Sequence, residues 1–157
     1  MIELVHNYSA ITHAHPRSMV GCGIYAFVLR ALLNGNTIAE GLSEGRSYYE
    51  VSEYSHELQY YNRIFADNFR HTPMEEIRSG GYVVHSLEAA VWCLLNSESY
   101  SECVLMAVNL GNDTDTTAAI TGSLAGAIYG LENIPAQWMD TLLKKDLIEE
   151  IISSFTK

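Results

Sequence analysis

The sequence predicts an all-α protein with about seven or eight helices in a single domain. Apolar residues recur at intervals of three and four along most of the chain, as they do on the buried face of an amphipathic helix. Several of these segments begin with a helix-capping pattern. No stretch of strand quality alternates apolar and polar residues, and no repeat or linker divides the chain. We therefore expect residues 1–157 to fold as one helical domain.

The charge of the chain excludes one large class of partner. Its 157 residues carry a formal net charge of −10, and 48% of them are hydrophobic. Binding to a nucleic-acid backbone depends on clustered Lys and Arg, so we expect no nucleic-acid partner. An anionic ligand must then be held by local features, such as a metal ion, a helix N-terminus or an isolated basic residue.

The N-terminus and the cysteines indicate a soluble protein of the cytoplasm. The first residues lack the basic and apolar regions of a signal peptide. The longest apolar helical run, around residues 118–131, is shorter than the ~20 residues that span a bilayer, so no membrane partner is expected. Cys22, Cys93 and Cys103 are odd in number and lie in apolar helical patterns. This favours reduced core residues over a disulfide framework or a zinc site.

Three helices are predicted in the first seventy residues. Pro16 suits a first helical turn, and the apolar spacing that follows predicts a helix over residues 16–34. Thr37 and Glu40 form a capping-box pattern for a second helix that runs to about residue 49. Residues 53–70 have the spacing of a third helix. We interpret the dense tyrosines of this region as packing residues rather than as a ligand-stacking platform.

The remaining helices follow from caps and apolar spacing. Thr72-Pro73-Met74-Glu75 combines a capping box with Pro at the first helical position, and Ser79-Gly80-Gly81 soon ends that helix. A second capping box begins at Ser99. The predicted helices of this half then cover residues 86–96, 99–108, 115–130, 135–143 and 144–155. Small residues form two stripes on the helix 115–130, so we expect that helix to be central and buried.

An Asp-x-Asp motif stands at the start of the helix 115–130. Asp113 and Asp115 are followed by the Thr116 hydroxyl, and these oxygens could converge on a hard cation such as Mg²⁺, Mn²⁺ or Ca²⁺. The same spacing is common in solvated turns and helix caps, so the motif alone leaves both interpretations open. An EF-hand loop is excluded, because Ala118 and Leu124 stand where it needs Gly and Glu.

Two further segments carry candidate residues. His13 and His15 lie two residues apart, a spacing unsuited to zinc on a helix, and we expect them to cap and pack a helix start. Gly80-Gly81-Tyr82 is typical of simple punctuation before a helix.

The run from Ala107 to Gly130, with Ile134-Pro135 and Trp138, resembles the ADP-ribosylglycohydrolase family. The family signature is an Asp-x-Asp-Thr metal motif that opens a Gly/Ala-rich helix, as Asp113-Thr114-Asp115-Thr116 does in this sequence. The resemblance extends from about Thr12 to about Trp138. It implies the compact, orthogonal helical bundle of that family without its N-terminal helices, so that residues 1–157 form the C-terminal part of the fold.

The resemblance also implies roles for individual residues. Asp113, Asp115 and Thr116 would be metal ligands, and one of the two Asp residues would also act on the attacking water. The metal is implied to be Mg²⁺ or Mn²⁺, with two ions in an intact site. The family has a Thr-His pair that opens a helix and a Ser-Gly-Gly-Tyr loop before a helix. The matching substrate-binding candidates here are His13, Gly81, Tyr82 and Ser86.

The implied function is metal-dependent hydrolysis of an ADP-ribosyl linkage, with ADP-ribose or an ADP-ribosylated protein as the partner. A complete relative also carries a Thr-Asp-Asp motif that supplies the other metal ligands, and this sequence lacks one. We therefore expect either a homodimer or a complementary N-terminal polypeptide to complete the site. A non-catalytic ADP-ribose-binding or structural member of the family is the alternative.

Overall fold

The computed structural model describes residues 1–155, and within this range it contains no β-strand, which confirms the all-α prediction. The described residues form eight α-helices and four short 3-10 helices. The α-helices are α1 Ile2–Thr12, α2 Pro16–Leu33, α3 Ile38–Glu50, α4 Val83–Leu95, α5 Tyr100–Asn109, α6 Thr114–Tyr129, α7 Ala136–Thr141 and α8 Lys145–Phe155. The 3-10 helices are Ser55–Phe65, Phe69–His71, Met74–Glu76 and Leu131–Asn133.

Three local predictions are wrong. Helix α1 was not expected, and the segment predicted as a helix over 53–70 is mainly the 3-10 helix Ser55–Phe65. The Thr72-Pro73 signal opens only the 3-10 turn Met74–Glu76, without a side-chain cap. The Thr72 carbonyl oxygen accepts a hydrogen bond from the Trp92 indole, 2.9 Å away, so this segment is held against α4 in an extended form.

Two of the three predicted capping boxes start α-helices, but their side-chain hydrogen bonds differ. At Thr37 the box is complete, because the Thr37 side chain accepts from the Glu40 backbone and the Glu40 carboxylate accepts from the Thr37 backbone. At Ser99 the side chain accepts from the Glu102 backbone, 3.2 Å away. The Glu102 carboxylate, however, accepts from the backbone of Glu98 instead of Ser99. The helix starts as predicted in both cases.

The core forms around α2 and α4. Helix α2 packs against α1, α3, α4 and α6, and α6 packs against α4 and α5. Almost the whole of α4 is buried, including both its apolar residues and Glu88. Tyr49 and Tyr61 have no exposed surface, which confirms that at least these tyrosines are packing residues.

Helix α2 changes one expectation about apolar runs. Its 18 residues have a mean hydropathy of 1.2, so Pro16–Leu33, and not residues 118–131, is the described helix that is long and apolar enough to cross a bilayer. Core helices of soluble proteins meet the same criterion, and 44% of this helix is buried inside the bundle. Cys22 on α2 is partly buried, Cys93 and Cys103 are fully buried, and all three are free thiols.

Helix α6 is less enclosed than its small-residue stripes predict. It buries Thr117, Thr121, Leu124 and Ala125 against its neighbours, whereas Ala119 and Ser123 are exposed. Helix α1 exposes an apolar stripe, and α8 has no buried residue. The exposed apolar side chains of these two helices are Met1, Leu4, Tyr8 and Ile11 on α1, and Leu147, Ile148, Ile151, Ile152 and Phe155 on α8.

Candidate functional site

Two loops that are distant in the sequence are joined by one buried serine. Ser79, which is 1% exposed, donates its hydroxyl to the carbonyl oxygens of Leu110 and Gly111, at 3.2 and 2.9 Å. In return, the backbone N–H of Asp113 donates to the Ser79 carbonyl at 3.1 Å. The Gly80-Gly81 loop is therefore fixed next to the Asp-x-Asp motif.

The turn that precedes α6 directs the Asp113 side chain away from the helix. Gly111 and Asn112 adopt positive φ values of 81° and 56°, a region open to Gly and tolerated by Asn. Asp113 is the N-cap of α6, yet its carboxylate makes no capping hydrogen bond; only its carbonyl oxygen accepts from the backbone and hydroxyl of Thr117. The interpretation of the Asp113 side chain as a simple helix cap is therefore wrong.

Gly81 and Asp113 are in close approach. A β-carbon placed on Gly81 would lie 3.1 Å from Asp113 Oδ2, whereas one on Gly80 would meet nothing within 4 Å. Gly81 therefore leaves room for the Asp113 carboxylate, and any larger residue would displace it.

Asp113 and Asp115 are adjacent at the α6 N-terminus. A side-chain hydrogen bond with Asp113 is the main cause that lowers the pKa of Asp115, and the backbone N–H groups of Thr116 and Asp115 contribute in the same direction. Two carboxyl groups this close repel each other when both are charged, unless a proton or a cation lies between them. The structure therefore places two carboxyl groups together at the start of this helix.

The side-chain oxygens at this site are of the type that binds a hard divalent cation, but there are too few of them to fill its coordination positions. Carboxylate and hydroxyl oxygens from Asp113, Asp115 and Thr116 are ligands that Mg²⁺ and Mn²⁺ prefer. Among residues 1–155 there is no cluster of three or more His, Cys, Asp or Glu side chains suited to a metal ion. A divalent ion placed at these three residues would take the remainder of its ligands from water or from another polypeptide.

A cavity of about 540 Å³ opens beside these residues. Four elements form its walls: the end of α1, the start of α2, the Gly81–Leu87 segment and the start of α6. Its lining includes His13, Gly81, Tyr82, Ser86 and Thr116. The structure thus brings together all four predicted substrate-binding residues and one predicted metal ligand. Asp113 and Asp115 are not part of this lining, but each is next to a residue that is. Asp113 lies close to Gly81, and Asp115 directly precedes Thr116 in the sequence.

His13 lines the cavity from a different element than expected. The Thr12-His13 pair ends α1 and does not open a helix, so this part of the prediction is wrong. His13 is exposed, and its Nδ1 atom hydrogen-bonds the Thr12 hydroxyl at 3.1 Å. His15 instead caps α2, because its Nδ1 atom accepts from the Arg17 backbone at 3.1 Å.

Ser86 and Tyr82 behave differently within the same loop. Ser86 is buried, and its hydroxyl donates to the carbonyl oxygens of Gly80 and Tyr82, both at 3.4 Å. Tyr82 is 40% exposed, and its ring packs edge-on against His85 with the centroids 4.9 Å apart. Ser86 therefore stabilises the loop from its buried side, whereas the aromatic ring of Tyr82 is accessible at the cavity.

The sequence interpretation missed Arg17, which also lines the cavity. Its Nη1 atom donates to the Tyr82 hydroxyl at 3.0 Å, and its Nε atom donates to the buried carboxylate of Glu57 at 2.8 Å. A cation in the first turn of a helix is opposed by the helix dipole. That unfavourable placement is the signal in the sequence that Arg17 is held there by contacts outside its own helix.

A second cavity, of about 630 Å³, lies on the other side of Tyr82. Its polar lining includes Arg63, Arg78, His85 and Glu88. Burial raises the pKa of Glu88 against the opposing effect of the two arginines, and burial together with those arginines lowers the pKa of His85. Arg63 Nη1 lies 3.3 Å from Glu88 Oε2, so the buried acid has its own partner.

Two known proteins that resemble this chain are both described as hydrolases of ADP-ribosyl groups. ADP-ribosylarginine hydrolase Tri1 of Serratia proteamaculans (strain 568) is 36% identical over 146 residues, which cover 91% of this chain and 37% of the relative. ADP-ribosyl-[dinitrogen reductase] glycohydrolase of Rhodospirillum rubrum is 30% identical over 132 residues, which cover 84% of this chain and 40% of the relative. The chain thus spans about two fifths of the length of these curated relatives.

The fold has a solved counterpart. A structure described as an ADP-ribosylglycohydrolase-related protein complex superimposes with a TM-score of 0.76 and 27% identity, over 95% of this chain and 50% of that one. The family model described as ADP-ribosylglycohydrolase matches residues 1–157, a longer span than the motif-based resemblance between Thr12 and Trp138. This chain belongs to the ADP-ribosylglycohydrolase family.

Proposed function

We propose that this chain contributes one part of a metal-dependent hydrolase that removes ADP-ribose from a protein side chain or a related adduct. The observation that supports this most strongly is the single cavity lined by His13, Gly81, Tyr82, Ser86 and Thr116. These are the residues that the family resemblance implies for ligand and metal binding, and they come from three of the four elements that form the cavity walls. Family membership supports the reaction class.

The carboxylates of Asp113 and Asp115 and the Thr116 hydroxyl would hold Mg²⁺ or Mn²⁺, with two ions in a complete site. When bound, the ions would supply Lewis-acid polarisation of ribose hydroxyls and of a water molecule. The chain's own residues have positioning roles: Tyr82 and His13 would hold the nucleotide part, and Gly81 would leave room for the Asp113 carboxylate. One Asp carboxylate would accept the proton of the attacking water while the acceptor group leaves the anomeric carbon.

A second polypeptide would complete this site. Two carboxylates and one hydroxyl leave most of the six positions of Mg²⁺ to water, so ions would bind weakly to this chain alone. The end of α1 and the start of α6 line the cavity, and α1 also carries an exposed apolar stripe. Apolar surface of this kind is typical of a contact with another chain. We propose a complementary polypeptide that brings the missing oxygen ligands; a homodimer is the competing assembly.

A non-catalytic ADP-ribose-binding role is the second candidate. The incomplete donor set of residues 1–155 favours it, because a cavity can bind ADP-ribose without a full metal centre. The retained Asp113-Thr114-Asp115-Thr116 motif favours the hydrolase.

Complementation separates the two candidates. The chain would be co-purified with the part of the Serratia proteamaculans relative that it does not match, and release of ADP-ribose from an ADP-ribosylated protein would be followed with Mg²⁺ or Mn²⁺. The hydrolase proposal expects metal-dependent release that Asp115→Asn abolishes and that the matched change Asp140→Asn, in the exposed part of α7, leaves intact. Metal-independent ADP-ribose binding without any release would support the non-catalytic role instead.

A further inference from the structure

The candidate cavity faces an electrostatic difficulty. The chain has a formal net charge of −10, and ADP-ribose carries a diphosphate that is also negative. Apart from two histidines, Arg17 is the one ionisable basic residue among the described residues that line this cavity. Without a metal ion in place, attraction for the diphosphate has to come from this guanidinium and from the first turn of α2.

Arg17 is held rigidly for that task. Its Nε atom donates to Glu57 Oε2 at 2.8 Å, and Glu57 is only 6% exposed. Its guanidinium carbon lies 3.4 Å from the centroid of the Tyr60 ring, and its Nη1 atom donates to the Tyr82 hydroxyl at 3.0 Å. Three different side chains therefore fix one guanidinium, and all three lie on two segments that are remote from α2 in the sequence.

One donor of the guanidinium remains free. The side chain of Arg17 is 21% exposed, and within the described residues its Nη2 atom has no hydrogen-bond partner. In the Arg17–Glu57 ion pair, the Glu57 carboxylate is buried and the Arg17 guanidinium lies at the cavity. A diphosphate oxygen at the cavity thus meets the cation first, although the pair is neutral as a whole.

Resting on the proposed function, we propose that Arg17 binds the diphosphate of the ADP-ribose moiety through its free Nη2 atom, while Tyr82 and Glu57 hold it in place. The residue thereby determines specificity for a diphosphate-bearing ligand. Through its bond to the Tyr82 hydroxyl, the same guanidinium also orients the aromatic wall of the cavity.

The test measures the affinity for ADP-ribose by calorimetry, with Mg²⁺ present, at low and at high salt. Loss of Arg17 alone would strand the buried Glu57 charge and endanger folding. We therefore compare Glu57→Gln, which keeps the cation, with the double variant Arg17→Gln/Glu57→Gln, which removes both charges. Arg30→Gln is the charge control, because Arg30 lies on the same helix, is paired with Glu44 and is not part of the cavity lining.

The double variant is expected to bind ADP-ribose about tenfold or more weakly than Glu57→Gln and to lose part of the salt dependence. Arg30→Gln is expected to behave like the wild type. If the wild type binds ADP-ribose, but Glu57→Gln and the double variant have equal affinities and equal salt dependence, only the assignment of Arg17 is overturned. If the folded wild-type chain does not bind ADP-ribose at all, this assignment fails, whereas the proposed function is decided by the complementation experiment.

Discussion

At the scale of single residues, Gly81 controls the space available to the Asp113 carboxylate. Gly81→Ala would place a β-carbon 3.1 Å from Asp113 Oδ2, so the carboxylate has to move by a few tenths of an ångström. We expect weaker Mn²⁺ and ADP-ribose binding with an unchanged melting temperature, because the displaced group is the end of a side chain. The matched control is Gly80→Ala, whose β-carbon meets nothing within 4 Å. Equal binding by both variants would show that Asp113 plays no part in the site.

A second residue, His6, links stability to pH. Its Nε2 atom lies 2.7 Å from the Tyr49 hydroxyl in the core, and burial lowers the pKa of His6 although Glu53 opposes the shift. The unfolded state therefore takes up a proton more readily than the folded state, beginning near the ordinary His pKa of about 6.5. The free energy of unfolding should fall as the pH drops below that value, and level off once the folded-state pKa has been passed.

Denaturant titrations at several pH values between neutral and mildly acidic measure this effect. We expect His6→Gln to flatten the pH dependence, and His71→Gln, at an exposed position, to leave it as in the wild type. His85, whose pKa is also lowered, contributes the slope that remains in His6→Gln. An identical slope in the wild type and His6→Gln would mean that His6 is not the titrating group.

Site residues that belong to a sequence motif were predicted, whereas Arg17, whose position depends on contacts with residues distant in the sequence, was missed. Gly81, Tyr82 and Thr116 were found because they belong to short runs with a recognisable pattern. Arg17 was missed because its partners Glu57 and Tyr82 are 40 and 65 positions away in the chain. Only the fold brings such partners together, and no local spacing encodes the contact.

At the scale of secondary-structure elements, the packing of α2 on α3 depends on one glycine. A β-carbon on Gly41 would lie 2.6 Å from the Cα atom of Val28 and 3.1 Å from the carbonyl oxygen of Phe27, so the two helices would have to separate. We expect Gly41→Ala to destabilise the protein by about 1–3 kcal/mol, which outweighs the helix propensity that Ala adds.

The opposite result is expected for Gly126 on α6, where a β-carbon meets nothing within 4 Å. Gly126→Ala should stabilise the protein by about 0.5–1 kcal/mol, because only the backbone entropy of the unfolded chain changes. Denaturant unfolding of both variants measures the difference. Stabilisation by Gly41→Ala would contradict the close approach of α2 and α3.

The elements that were predicted correctly are those whose apolar face is buried. Helices α2, α4 and α6 were found within about three residues at each end, since their apolar spacing reflects real burial. Helix α1 was missed because it buries only Ile2 and His6 and exposes most of its apolar side chains. The Thr72-Pro73 signal failed for the opposite reason: contacts with α4 hold that segment extended and override its local preference.

At the scale of the whole molecule, we propose one explanation for the exposed apolar surfaces and for the small number of oxygen ligands, namely a second polypeptide that covers the surfaces and supplies further ligands. The chain spans about two fifths of the length of its curated relatives and half of the solved counterpart. Thr116 and Ile120 of α6 line the candidate cavity, whereas the exposed apolar side chains of α1 are not part of its lining. The family motif was legible in the sequence, whereas the open face was not, because amphipathic spacing does not reveal whether a partner covers an apolar stripe.

The most direct test of the central claim is a calorimetric titration of the purified chain with ADP-ribose, in the absence and presence of Mg²⁺ or Mn²⁺. The account predicts binding that strengthens when the metal ion is added, and an Asp113→Asn variant in which the metal ion no longer has an effect. Binding of equal strength with and without metal, unchanged by Asp113→Asn, would contradict it.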